Sequence, residues 1–159
     1  RGAEPPAEDH ALALELSARI GAALAGRPGH EPVPCHNDLL TANFIDDGEA
    51  VRIVDWEYAG MNDRYFDLGN LAVNNGFGED DEQRLLAAYL DAEPTDADVA
   101  SLRLMRLMSD VREAMWGVLQ GVVSDLDFDY GAYAAEHFAR LREGAADPRL
   151  EEWVHAASS

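Results

Sequence analysis

Asp46-Asp47-Gly48 stands between two short apolar stretches, Asn43–Ile45 and Val51–Trp56, in a chain whose other long segments all carry a helical pattern. Turn residues between two strand-length runs specify a β-hairpin, because Asp and Gly accept the backbone conformations that a tight reversal demands. The rest follows helical rules. Residues 8–25 set Leu12, Leu14, Leu16, Ile20 and Leu24 among alanines and end near Gly26 and Pro28, as a helix does. A loop through Pro32 and Pro34 then leads to the hairpin. After Gly60, helices are predicted at 64–75, 80–91, 96–123 and 129–144, with a weaker one at 147–156. Thr95 with Asp98 resembles a capping box for the longest of these. Within it Leu104, Met108, Val111, Met115, Val118 and Val122 advance in steps of three and four, which predicts a buried stripe. With 159 residues and no proline- or serine-rich linker, the chain reads as one domain, mainly α with a small β-hairpin.

Polar residues crowd the start and end of that hairpin. His36, Asp38 and Asn43 precede it, and Asp55 follows Asn43 by twelve residues. Phosphoryl transfer to a hydroxyl asks little covalent help of a protein: a carboxylate to orient the hydroxyl, and oxygen ligands for the divalent cations that hold the phosphates. Asp38 suits the first task, Asn43 and Asp55 the second. The order H-x-D-x-x-x-x-N, followed by an aspartate after the next strand, is the spacing of a kinase catalytic loop with its metal-binding aspartate. His36 belongs to this catalytic set in a supporting part, packed under the loop and bonded to backbone. The implied cofactors are Mg2+ and ATP as phosphoryl donor.

Composition narrows the alternatives. The formal charge is −19, which disfavours nucleic acid as a partner because phosphate backbones are repelled. All 12 basic residues are arginine, so no lysine is available to grip phosphates, and no glycine-rich phosphate loop is present. The single cysteine, Cys35, rules out an internal disulfide and a multi-cysteine zinc site. No apolar run is long enough for a membrane-spanning helix, and the cytoplasm is the expected location. The opening Arg-Gly-Ala-Glu-Pro-Pro, without an initiator methionine, reads as a segment that follows a domain boundary.

The segment Cys35–Tyr58, with C-H-N-D and I-V-D-W-E-Y, resembles the choline and ethanolamine kinases, including their bacterial relatives in lipopolysaccharide biosynthesis, within the wider aminoglycoside phosphotransferase group. Tyr65-Phe66-Asp67-Leu68-Gly69-Asn70 is similar to that family's F-D-(I/L)-(G/A)-N segment. Met115-Trp116-Gly117 is similar to its F-W-G helix, and Tyr130 with Tyr133 to its Y-x-x-Y. The resemblance implies the C-terminal, substrate-binding lobe of a protein kinase-like fold, with the N-terminal nucleotide-clamping lobe missing from this chain. It gives Asp67 the part of bracing the catalytic loop. It also implies an ammonium pocket walled by Tyr58, Tyr65, Trp116, Tyr130 and Tyr133, with Glu57 nearby. Aromatic faces attract a cation by about 0.5–2 kcal/mol each, so a ring cage suits a small amino alcohol. Where such kinases often carry a second tryptophan, this chain has Leu119, which points to an amino alcohol in general more than to choline in particular.

Three competing readings remain. Asp125, Asp127 and Asp129, with Glu136, match much of an EF-hand loop, but its sixth position needs glycine and holds Tyr130. An aminoglycoside phosphotransferase shares the catalytic loop, and a non-catalytic amine-binding lobe shares the pocket. A lobe without its nucleotide-clamping partner is expected to have negligible activity alone, and exposure of the facing surface makes self-association an expectation.

Overall fold

The computed structural model describes residues 6–27 and 30–159. The first five residues, most of the opening segment read as following a domain boundary, and Pro28, one of the two helix-ending signals, lie outside that range. The described elements run α1 (Ala7–Ala25), β1 (Val33–Cys35), a 3-10 turn (Thr41–Asn43), β2 (Phe44–Asp46), β3 (Val51–Ile53), β4 (Gly60–Asn62), α2 (Arg64–Asn74), α3 (Glu79–Leu90), α4 (Asp96–Val123), α5 (Tyr130–Ala145) and α6 (Leu150–Ala157). No helix among them is long and apolar enough to cross a membrane.

The axis of the molecule is α4, 28 residues and about 42 Å long. Its start is capped reciprocally: the Thr95 hydroxyl accepts the Asp98 N–H at 3.2 Å, and the Asp98 carboxylate accepts the Thr95 N–H at 2.8 Å. All five other helices pack on it. The core is built where they meet, from Leu16, Ile20 and Leu24 of α1, Leu102, Leu104 and Leu107 of α4, and Phe138 and Leu141 of α5. Gly69 permits the tightest approach, since a Cβ there would stand 2.7 Å from the Arg106 nitrogen and the Met105 carbonyl carbon. Asp63 caps α2, accepting the Tyr65 N–H at 2.8 Å.

The hairpin forms where the turn residues put it, with β2 antiparallel to β3 and Phe44 opposite Ile53. A second two-stranded sheet was not foreseen: β1 pairs antiparallel with β4, Val33 opposite Asn62 and Cys35 opposite Gly60. Its strands are three residues long and one contains Pro34, so no alternation announces them. The stripe of α4 also differs from its pattern. Leu104 is fully buried and Met108, Val111, Met115 and Val118 are partly so, but Val122 is 72% exposed. The cause lies at Gly117, where α5 crosses so closely that a Cβ would be 3.1 Å from Ala134. Beyond that crossing the last turns of α4 overhang the core. Before it, neighbours surround the helix, which buries Ala100, Leu107 and Ala114 as well.

Candidate active site

The segment from Cys35 to Asn43 is held from below by side chains of α2. The Asp67 carboxylate accepts the backbone N–H groups of His36 and Asn37, both at 2.7 Å. The Asn70 oxygen accepts the Leu39 N–H at 2.6 Å, while its amide nitrogen donates to Ser109 of α4 at 2.9 Å. His36, 2% exposed, closes the loop internally. Its Nδ1 accepts the Asp38 N–H at 3.2 Å, so the proton sits on Nε2, which donates to the Val54 carbonyl at 2.9 Å. Trp56 packs edge-on against the same imidazole at 4.7 Å.

These restraints present the Asp38 carboxylate between two donors. One oxygen faces the Asn43 amide nitrogen at 3.3 Å, and the other accepts from Arg112 at 3.0 Å. The Asn43 amide nitrogen also donates to the Asp38 carbonyl at 2.9 Å, which leaves its oxygen available. Asp55 is brought alongside by the hairpin register, because the Val54 N–H donates to the Asn43 carbonyl at 3.0 Å. Its side chain is exposed and accepts no hydrogen bond among the described residues. Two non-glycine residues here adopt left-handed backbone, Asn37 at φ 66° and Asp55 at φ 64°. Such positions persist where surrounding contacts over-determine them, and they gather at functional sites. No group of three or more His, Cys, Asp or Glu side chains positioned to hold a metal occurs among the described residues. Asp129, from the calcium-like run, caps α5 by accepting the Ala132 N–H at 2.9 Å.

On the other side of Asp38 lies an aromatic cluster. Trp116 meets Tyr130 and Tyr133 edge-on, each at 5.7 Å between ring centroids, and its indole N–H points to the Tyr58 hydroxyl at 3.4 Å. Glu57 is exposed beside Tyr58. Tyr65 does not join the group. It is 4% exposed, its hydroxyl donates to Asp98, and the Arg27 guanidinium covers its ring at 4.6 Å. Asp98 and Trp116 are eighteen residues apart on α4, about 27 Å along the helix. Leu119, at 57% exposed, faces solvent.

Three members of the cluster were not singled out in the sequence. Arg112 lies over the Tyr58 ring at 5.0 Å and donates to Glu113 at 2.7 Å. Glu113 is buried and also accepts from the Tyr133 hydroxyl at 2.6 Å. Burial, reinforced by that bond, raises the pKa of the Tyr133 hydroxyl above the ordinary tyrosine value. Phe128 packs on Tyr130 at 4.9 Å. The available signal for Arg112 was its place four residues before Trp116, which puts both on one helix face.

Residues 27–141 match the family model described as choline/ethanolamine kinase. The chain belongs to that family. Among solved structures, a choline/ethanolamine kinase family protein from Mesorhizobium loti is 33% identical with a TM-score of 0.88, over 99% of this chain and 53% of the other. Ethanolamine kinase 2 of Rattus norvegicus is 34% identical over 124 residues, covering 65% of this chain and 32% of the rat protein. Protein LicA of Haemophilus influenzae is 28% identical over 123 residues, covering 75% of this chain and 44% of its own length. The chain thus spans less than half the length of these curated relatives. The mainly helical architecture with its small hairpin is that of the family.

Proposed function

We propose that this chain is the C-terminal lobe of an ATP-dependent phosphotransferase acting on the hydroxyl of a small amino alcohol of the choline or ethanolamine type. The observation that carries the reading is the span between Asp38 and the Tyr58 ring, which a single guanidinium bridges. An ammonium seated on the aromatic faces therefore has its hydroxyl, two carbons away, within reach of a carboxylate that can orient it. Asp38 accepts the hydroxyl proton as the oxygen attacks the γ-phosphorus of ATP, and the bond to the β-bridging oxygen breaks to release ADP.

Asn43 and Asp55 fit magnesium by chemistry and number. Each offers a hard oxygen free of other hydrogen bonds among the described residues, and magnesium is commonly held by one or two protein ligands together with substrate phosphates and water. When bound, the metal neutralises charge on the phosphates. Asp67 and His36 act indirectly by fixing the backbone from which Asp38 projects. Tyr58, Trp116, Tyr130 and Tyr133, with Glu57 at the edge, form the substrate side. In this reading the residues that clamp the nucleotide belong to a separate N-terminal lobe, since this chain has no lysine.

The test is a substrate panel with the full-length protein and labelled ATP. Phosphorylation of choline or ethanolamine is expected, with negligible turnover by the 159-residue chain alone. Phosphorylation of kanamycin but of neither amine would overturn the assignment.

A further inference from the structure

Arg112 occupies an unusual place for a surface arginine. Its guanidinium carbon lies 5.0 Å from the centroid of the Tyr58 ring, and its NH1 donates both to Asp38 at 3.0 Å and to Glu113 at 2.7 Å. Asp38 and Glu113 side chains are only 13% and 4% exposed, so the guanidinium serves two carboxylates largely shielded from water. An aromatic face with carboxylates at its rim is the set of groups that binds a cation. Here the protein fills that set with its own.

We infer that Arg112 is a resident cation, held where the ammonium of an amino alcohol binds, and that it swings aside when substrate arrives. The inference rests on the function proposed above. Two unscreened carboxylates this close are costly without a positive charge between them, and Arg112 supplies it in the free protein. A substrate ammonium supplies the same charge, which allows the exchange of one cation for another. Space for the displaced side chain exists. Tyr58 and Arg112 line a cavity of about 330 Å³ whose other walls include Phe66, Met108 and Val111, with Asn37 and Asn62 at its polar edge. The side-chain oxygens of both asparagines accept one hydrogen bond each, from Asn62 and from the Asp63 N–H, and each retains a lone pair for a guanidinium.

Self-occupancy weakens substrate binding by the fraction of molecules in which the place is already taken. Affinity is therefore set by the competition with Arg112 as well as by the ring contacts, and an uncharged alcohol cannot drive the exchange. Arg112 thereby favours cationic substrates over neutral ones.

The test measures ethanolamine and choline binding to the 159-residue chain by calorimetry, for the wild type, Arg112→Gln and Arg112→Lys. On this proposal Arg112→Gln binds the amine about tenfold more tightly, the gain expected if the competent fraction of the wild type is near one in ten. Arg112→Lys, which keeps a cation, stays close to wild type. Without ligand, Arg112→Gln melts lower because its carboxylates are uncompensated, and added amine raises its melting temperature further than it raises that of the wild type. Methylguanidinium should bind Arg112→Ala and compete with ethanolamine there. Equal or weaker amine binding by Arg112→Gln overturns the resident-cation proposal. If the full-length protein still phosphorylates the amine in that case, the proposed function stands; if it phosphorylates neither amine, that reading falls separately.

Discussion

The carboxylate of Asp67 accepts the backbone N–H of Asn37 at 2.7 Å, and Asn37 holds the left-handed φ of 66° from which the next residue, Asp38, projects. A side chain on α2 thus sets the direction of a carboxylate it does not touch. Asp67→Asn would turn an amide N–H₂ toward backbone donors and leave at least one of them unpaired. The expected loss is on the order of 2–4 kcal/mol, or roughly 5–15 °C in Tm for a domain of this size. Thermal unfolding followed by circular dichroism measures it, and an unchanged Tm would contradict the bracing role.

Asp38→Asn keeps the shape of the side chain and removes its capacity to take a proton. In the full-length protein, phosphoryl transfer should fall by about 10²–10⁴-fold, with the fold intact. Amine binding should weaken far less than turnover does, since Asp38 is one of two carboxylates at the cation site and Glu113 and the rings remain. Turnover close to that of the wild type would refute Asp38 as the proton acceptor.

Tyr65→Phe separates the two tyrosine environments. Removing the hydroxyl takes the Tyr65 donor from one Asp98 carboxylate oxygen while the other keeps the Thr95 N–H, and stability should drop by about 1–2 kcal/mol. Amine affinity should be unchanged, because Tyr65 lies far from Trp116. Weaker ethanolamine binding by this variant in calorimetry would return Tyr65 to the pocket.

Gly69→Ala places a methyl group against the α4 backbone at Arg106 and Met105, where no side chain can rotate away. The helices must separate, at a cost of about 1–3 kcal/mol or more. A denaturant midpoint equal to that of the wild type would show that the crossing has slack.

Burial, followed by the nearby carboxylates of Asp67 and Asp63, pushes the Cys35 thiol up to about 11. A raised pKa means that the folded state holds the proton longer than the unfolded state. The associated stability is therefore complete below the unfolded value near 9 and is lost as pH rises from there toward 11. Alkylation of this sole cysteine should be slow at pH 8 in the folded chain and fast in denaturant. Rapid labelling of the folded chain would refute the shift.

The helices were legible because each carries both a period and a stop. Thr95 with Asp98 marks the start of α4, and Asp46-Asp47-Gly48 marks the hairpin, since both act through near neighbours in sequence. Pairing of Val33 with Asn62 was not legible, for a three-residue strand beside proline has no pattern to read. The loop from His36 to Asn43 stood out because metal and hydroxyl chemistry dictates residue types at set intervals. Arg112 and Glu113 did not, because an Arg-Glu pair on a helix looks like solvated surface until the fold brings Asp38, Tyr58 and Tyr133 against it. Tyr65 shows the opposite limit. Its neighbourhood in sequence to Asp67 says nothing about the helix face on which its ring is buried.

The hairpin that carries Asp55 has three-residue strands whose side chains are nearly all exposed. A two-stranded ribbon of that size is marginal by itself in water. The segment bearing Asp38 is, by contrast, pinned to α2 and α4 through Asp67, Asn70 and Ser109. Amide protons of Asn37 and Leu39 should thus exchange on the timescale of the helical core, and those of Val51 and Ile53 much sooner. The site is a vice with one fixed jaw and one that breathes, and the work of closing it falls to whatever is gripped between them.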